Sequence, residues 1–313
     1  MRGQLHEPLC PPRRLPSYAH VVNKRAGQPA TEIGGDVRWV LVAWLPAAAV
    51  WAADVGGAAR LNGGPARTGQ ARRDSLGTMQ NSVALVTGAN KGIGKEIARH
   101  LAAAGLTVYA GSRDAARGQR AVEEIGGDCR LLVLDVTDAT SIDGAARRVG
   151  TLDILINNAG VSGDDKTADR EDLSAMRRIY ETNVFGVMAV TNAFLPALRR
   201  SAHPRIVNIS SGTGSLAWAT GPQFPHRGSY AAYRSSKTAL NALTVFYAHA
   251  LAGAGIKVNA LAPGLRRTDL NATATASGGD PAEAAAGAIR LALLPDDGPS
   301  GEFFSWDGTA VPW

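Results

Sequence analysis

TGANKGIG, residues 87–94, stands between the apolar run SVALV (82–86) and the helix-like run KEIARHLAAAG (95–105). Three glycines and a lysine at a strand-to-helix junction answer a steric need. Gly88 lets the strand turn sharply, Gly92 removes a side chain where a pyrophosphate must approach, and Gly94 lets the helix pack close to the sheet. The helix start then offers free N–H groups and the positive end of its dipole to phosphate. Glycine-rich turns also serve ordinary loops, so the flanking strand and helix give this one its meaning.

Working outward, short β-branched runs recur: VALVTG (83–88), TVYAGS (107–112), RLLVLD (130–135), DILINN (153–158), RIVNIS (205–210), KVNALAP (257–263) and GEFFSW (301–306). Amphipathic stretches of helical length separate them, the longest around 171–199 and 231–254. This alternation predicts an α/β fold: a doubly wound, Rossmann-type, mainly parallel seven-stranded sheet with helices on both faces. Ligands of such sheets sit beyond the carboxyl ends of the strands.

That domain occupies residues 79–313. Residues 1–78 are rich in Arg, Pro, Ala and Gly and lack sustained periodicity, and they read as a disordered extension or a start-site artefact, with translation beginning at Met79. They hold ten Lys/Arg against five Asp/Glu, whereas the remainder holds 23 against 22. The basic balance therefore sits in the tail, and no nucleic-acid partner is expected. The one apolar stretch there, residues 39–53, is interrupted by Pro46 and is shorter than the roughly 20 residues of a membrane span, so no membrane role is expected. Cys10 and Cys129 are isolated and offer neither a disulfide framework nor zinc-ligand spacing. A cytoplasmic, metal-free protein is the expectation.

The second strand ends in AGSRD (110–114). An NAD site usually places a carboxylate at this tip for the ribose 2′-hydroxyl. Here Ser112 and Arg113 occupy it, and Lys91 stands inside the glycine turn. Two cations converging there suit a 2′-phosphate, which arginine grips bidentately, so the cofactor reads as NADP(H). Asp114 reads as the cap of the next helix.

YRSSK (233–237) lies in a strongly helical stretch, and its spacing puts Tyr233 and Lys237 on one face, one turn apart. A nearby ammonium lowers a phenol's pKa from its usual ~10, making an acid–base pair. Such pairs also occur by chance. The chain nevertheless resembles the short-chain dehydrogenase/reductase superfamily in TGANKGIG (87–94), LDVTD (134–138), NNAG (157–160), TN (182–183), NISS (208–211), YRSSK (233–237) and the Pro-Gly of APGLRRTDL (262–270). These motifs fall in the family's order and span essentially all of 82–313. The run from Ser235 and the C-terminal LALLPDDGPSGEFF look closest to NADPH-dependent carbonyl-reductase-like members.

The resemblance implies roles position by position. Tyr233 would protonate a carbonyl oxygen as hydride reaches its carbon, Lys237 would lower the tyrosine pKa and bond the nicotinamide ribose, and Ser211 would hold the carbonyl oxygen. Ser210 is the alternative hydroxyl, the family's serine being the second of the pair. Asn183 would hold a water linking Lys237 to solvent. Gly88, Asn90, Lys91, Gly92, Ile93, Gly94 and Arg113 would bind the cofactor's phosphates, and Asp135 and Val136 its adenine edge. Asn158 and Gly160 would line the adenosine ribose, and Pro263, Gly264 and Thr268 would border the nicotinamide. Asn157 reads as a tie between strands. The position four after Tyr230 is Arg234, which cannot play the tunable lysine's part.

One departure stands out. Residues 212–232 separate the serine from the tyrosine, more than most members place there, and WATGPQFPHRGS (218–229) reads as the inserted loop. Trp218, Phe224 and His226 would shape a substrate pocket, and the insertion leaves monomer or homo-oligomer open. The segment DLNATATASGGDPAEAA (269–285) reads as a permissive lid. The expected activity is NADPH-dependent reduction of a small-molecule ketone or aldehyde. The alternatives are the same chemistry run oxidatively, or an NADP(H) sensor without turnover.

Overall fold

The computed structural model describes residues 82–221 and 228–313. The readings made for residues 1–78, for Met79 and for Phe224 and His226 lie outside the described residues. Seven parallel strands form one sheet: β1 (Val83–Val86), β2 (Thr107–Ser112), β3 (Cys129–Val133), β4 (Ile154–Asn157), β5 (Arg205–Ile209), β6 (Lys257–Ala262) and β7 (Phe303–Ser305). Their spatial order is β3-β2-β1-β4-β5-β6-β7. The chain winds outward from β1 to β3 and then crosses back to β4 on the other side of β1. The expected doubly wound fold is present, and the reversal between β1 and β4 opens a crevice at their carboxyl ends.

Connecting the strands are α1 (Gly92–Ala103), α2 (Ala115–Ile125), α3 (Ala139–Arg148), α4 (Leu173–Tyr180), α5 (Gly186–Leu198), α6 (Leu216–Ala219), α7 (Ala231–Leu251), α8 (Ala272–Ser277) and α9 (Pro281–Ala292). Side-chain carboxylates start several of them. Asp114 accepts from Arg117 N at 2.9 Å, the cap expected of it, and Asp138, Asp172 and Asp280 do the same for α3, α4 and α9. Pro281 opens α9, where its missing N–H costs nothing. The stretch expected as one helix around 171–199 is α4 and α5 joined by a π-helical turn, Glu181–Phe185. Such wide turns often mark functional sites, and this one carries Asn183.

Strand alternation sorts the core into two layers. Ala84, Val86, Ile154, Ile156, Val207 and Leu261 face α1 and α9 through Ile97, Leu101, Ala285 and Ala288. Leu85, Leu155, Ile206 and Val258 face the opposite way, onto α3, α5 and α7 through Ile142, Val190, Phe194 and Leu251. The central strands are buried on both faces, as covered parallel sheets require.

Among the described residues the buried side-chain polar atoms are paired, apart from Asn157 Oδ1 and Arg266 Nη2. Asn157 Nδ2 donates to Thr191 Oγ1 on α5 (3.1 Å) and to Asn208 Oδ1 on β5 (2.9 Å), while Asn208 Nδ2 donates to Thr244 Oγ1 on α7 (2.9 Å). Asn157 thus ties strands, as its sequence position suggested. Arg205, only 2% exposed, bonds Leu294 O and the exposed Asp296 carboxylate. Cys129 is free and buried, and burial pushes its thiol up to about 11. Among the described residues no helix is long and apolar enough to cross a membrane, and no His, Cys, Asp or Glu cluster could hold a metal.

Candidate active site

The crevice at the switch point is a cleft of about 610 Å³. Its floor is the glycine turn. Gly88 (φ +65) and Gly92 (φ +57) adopt the left-handed conformation that disfavours any side chain. A Cβ on Gly88 would lie 3.0 Å from Ala159 Cα, and one on Gly92 would lie 3.1 Å from Thr268 Cγ2. The turn is stitched to the loop after β4: Thr87 Oγ1 accepts from Asn158 N (2.9 Å) and Ala159 N (3.0 Å), and Asn158 Nδ2 donates to Thr87 O (2.8 Å) and Gly88 O (3.2 Å). Asn158 lines the cleft, yet its amide is committed to holding the turn.

Gly94 shows how tight this junction is. A Cβ there would come 2.3 Å from Asn158 Nδ2 and 2.6 Å from Gly88 O, neither of which has room to retreat. Gly94→Ala is therefore expected to cost about 1–3 kcal/mol by overpacking and to weaken dinucleotide binding at least ~10-fold. Thermal unfolding and fluorescence titration with NADPH check it; wild-type affinity would show that the turn tolerates a methyl group.

The cleft's residues fit a dinucleotide. Lys91 stands at the N-cap of α1 without giving a side-chain cap, and the first turn carries no acid. The free N–H groups and dipole of α1 are thus left for an anion. At the tip of β2, Ser112 Oγ donates to Asp114 O (2.8 Å), and the exposed Arg113 lines the cleft. Arg117 joins it from the first turn of α2, a cation that the sequence reading missed; its spacing of four from Arg113 was the available signal. Lys91 Nζ also pairs with Asp269, 3.1 Å away across the cleft mouth. Asp135 and Val136 line the neighbouring wall, where Asp135 Oδ1 accepts from Thr137 N and Oγ1 (2.9 and 2.7 Å).

The far end of the cleft gathers Tyr233 and Lys237 from one face of α7. Lys237 is 5% exposed, and its Nζ donates to Ile209 O at 2.8 Å and lies 5.8 Å from the Tyr233 ring centre. Burial pushes the ammonium down to about 8. The same cause pushes the Tyr233 phenol up to about 12, against which a hydrogen bond with Ser211 pulls down. The sequence reading had the lysine lowering the tyrosine. In the free protein desolvation dominates, because the ammonium is turned to the Ile209 carbonyl.

Ser210 and Ser211 part company at the end of β5. Ser210 Oγ donates into the core to Asn241 Oδ1 on α7. Ser211 Oγ faces Thr213 Oγ1 (2.8 Å) and the Tyr233 phenol. Asn183, fully buried, accepts from Val161 N (2.9 Å) and donates to Val161 O (2.9 Å) and Ser236 Oγ (3.0 Å), bracing the loop after β4 against α7. A Cβ on Gly160 would lie 3.3 Å from Asn183 Oδ1 and 3.5 Å from Lys237 Nζ, so Gly160 sits at this end of the cleft.

Beyond β6, Pro263 and Thr268 line the cleft, whereas Gly264 (φ +70) turns toward Trp306. Arg266 pins this loop. It is buried, stacks 4.3 Å from the Trp306 ring, and donates to Pro263 O (2.7 Å) and Glu283 Oε2 (2.6 Å). Of the sequence-derived candidates among the described residues, Asn183, Ser211, Gly264 and Trp218 stand off the lining, and the other catalytic and cofactor candidates are on it.

A parallel sheet with a glycine-cradled helix start at its switch point defines a nucleotide-binding protein of the doubly wound class. The family model described as "short chain dehydrogenase" matches residues 82–278. Salutaridine reductase of Papaver bracteatum is 34% identical, over 71% of this chain and 93% of that protein. The (-)-isopiperitenone reductase of Mentha piperita is 35% identical, over 72% and 96%. The crystal structure of NADPH-bound carbonyl reductase from chicken fatty liver superposes with a TM-score of 0.65 at 32% identity, covering 75% of this chain and all of that one. The chain belongs to the short-chain dehydrogenase/reductase family, among its carbonyl-reductase-like oxidoreductases, which use a nicotinamide cofactor.

Proposed function

We propose that this protein reduces a ketone or aldehyde with NADPH, Tyr233 delivering the proton. The observation that carries the reading is Tyr233, its phenol bonded to Ser211 and Lys237 one helical turn away, at one end of a cleft whose other end bears Lys91, Arg113 and Arg117. Bound reduced nicotinamide supplies hydride. Ser211 holds the substrate's carbonyl oxygen, and Tyr233 protonates it as negative charge develops there. Lys237 stabilises the phenolate left behind and bonds the ribose beside it. Asn183, next to Lys237 across Gly160, lies on the path by which water restores the proton. Arg113, Arg117 and Lys91 bind the 2′-phosphate, Asp135 and Val136 the adenine edge, and Pro263, Gly264 and Thr268 the nicotinamide side. The free buried thiol suits a reducing, cytoplasmic setting.

A panel of ketones and aldehydes assayed with NADPH and NADH tests this. The expected result is turnover with NADPH favoured, and loss of ~10–100-fold in NADPH affinity in Arg113→Ala/Arg117→Ala with NADH affinity little changed, as for lost charge-assisted bonds. Equal use of both cofactors defeats the phosphate assignment. Tight NADPH binding with no turnover on any carbonyl would instead identify a sensor.

A further inference from the structure

The geometry points to a specificity device outside the catalytic group: a shelf carrying Trp218, locked in place by the last residues of the chain, that selects apolar carbonyl substrates. The inference rests on the carbonyl-reducing reading above and names the substrate class of that site.

Trp218 lies on α6, three residues beyond Ser215, and its indole packs on the segment next to Ser211. A Cβ on Gly212 would come 2.7 Å from Trp218 Cζ3, so the ring covers the residue that follows the carbonyl-binding serine. The indole remains 41% exposed, with Leu216 exposed beside it on α6. An open apolar ring packed one residue along from the half-buried Ser211 hydroxyl favours substrates with a polar carbonyl and an apolar body.

Four residues make no stable helix alone, so something must hold α6. Ser215, with no exposed surface, does so from both sides: its Oγ accepts from Trp218 N (3.1 Å) and donates to Pro312 O (2.6 Å). Ala217 N donates to Trp313 O at 2.9 Å. The tail is anchored in turn. Val311 N donates to Phe303 O of β7 (2.8 Å), and the Trp313 ring stacks on Phe303, with centres 5.2 Å apart. The edge of the sheet is thereby linked, through residues 311–313 and α6, to the wall beside Ser211. On the other flank Gly214 O accepts from Thr238 Oγ1 (2.9 Å) and Asn241 Nδ2 (3.3 Å), fastening the same segment to α7. Ser215 and Trp313 are positioning residues; Trp218 is the contact.

The test uses the full chain with NADPH and two probes, cyclohexanone and 4-tert-butylcyclohexanone. Trp218→Ala is expected to raise KM for the bulky ketone ~10–100-fold and for cyclohexanone by less, with kcat within ~3-fold. Ser215→Ala and Trp313→Ala should raise KM for the bulky ketone ~3–10-fold and leave the Kd for NADPH, from fluorescence titration, unchanged. They should also speed hydrogen exchange at the Ala217 and Trp218 amides. Unchanged KM in all three variants, or an NADPH Kd that moves in step with KM, overturns the proposal. Should wild type turn over neither ketone, calorimetric titration of 4-tert-butylcyclohexanone into the NADPH-loaded protein decides: binding lost in Trp218→Ala supports the shelf even though the reductase reading fails, and binding absent or unchanged refutes it.

Discussion

Tyr233→Phe is expected to lower kcat at least ~10³-fold while leaving the Kd for NADPH within ~3-fold. General acids contribute 10²–10⁴ to such reactions, and among the described residues the nearby hydroxyls are not placed to replace the phenol. Ser210 is turned into the core onto Asn241, and Tyr230 opens α7 in a left-handed conformation (φ +54), followed four residues later by an arginine. The phenylalanine keeps the ring's packing and removes only the hydroxyl that meets Ser211. A structural role would appear as lost stability with kcat preserved. Single-turnover kinetics beside a thermal melt separates the cases, and turnover surviving near the wild-type rate would remove the proposed mechanism.

Lys237→Met should do something less intuitive: stabilise the free protein while abolishing turnover. The ammonium is buried, its described partner is one carbonyl, and it titrates at about 8 instead of the usual 10.5. At 1.36 kcal/mol per pH unit that gap corresponds to roughly 3 kcal/mol of penalty, of which ~1–3 should be recovered by an apolar side chain of similar length. The sign follows from proton counting. Below pH 8 folded and unfolded chains both hold the proton, and the folded one carries the whole penalty. Between about 8 and 10.5 the folded chain has released a proton that the unfolded chain keeps, so stability rises with pH. The variant's advantage in denaturant unfolding should therefore be largest at pH 7 and shrink toward pH 10. Tyr233 acts oppositely and higher: raised to about 12, it loses stability only as pH climbs above 10. A variant that is destabilised at pH 7, or whose advantage does not change with pH, would show that the amine is solvated in the free protein.

How much of this could be read from the chain depended on range. The seven strands, the glycine turn and the one-turn pairing of Tyr233 with Lys237 are local patterns, and all stand where periodicity put them. Boundaries shifted at the sheet's edges: β3 begins at Cys129 and ends at Val133, opposite Ser112 where β2 ends, and β7 begins at Phe303, opposite Ala260 within β6. The π-helical turn at Asn183 left no mark, since its amide is directed by Val161 and Ser236, far away in sequence. Arg117 was not singled out, because a cation in a polar helical stretch carries no mark of facing a cleft. The direction of the phenol's titration depended on burial and on where Lys237 turns, and neither is encoded in spacing. The tie from Ser215 to Pro312 spans 97 residues and has no local signature at all.

The amide pair inside the sheet carries a consequence for everything at its carboxyl edge. Apart from their asparagines and Arg205, ILIN of β4 and RIVNI of β5 are apolar, and uniformly buried strands index themselves poorly. Asn157 beside Asn208 forbids a slide of one past the other, because moving either by one residue would strand two amides in hydrocarbon. One step along a strand is about 3.3 Å, enough to carry Ser211 out of reach of Tyr233. Two buried asparagines that are not on the cleft lining thus keep the ruler by which the reacting groups are measured out.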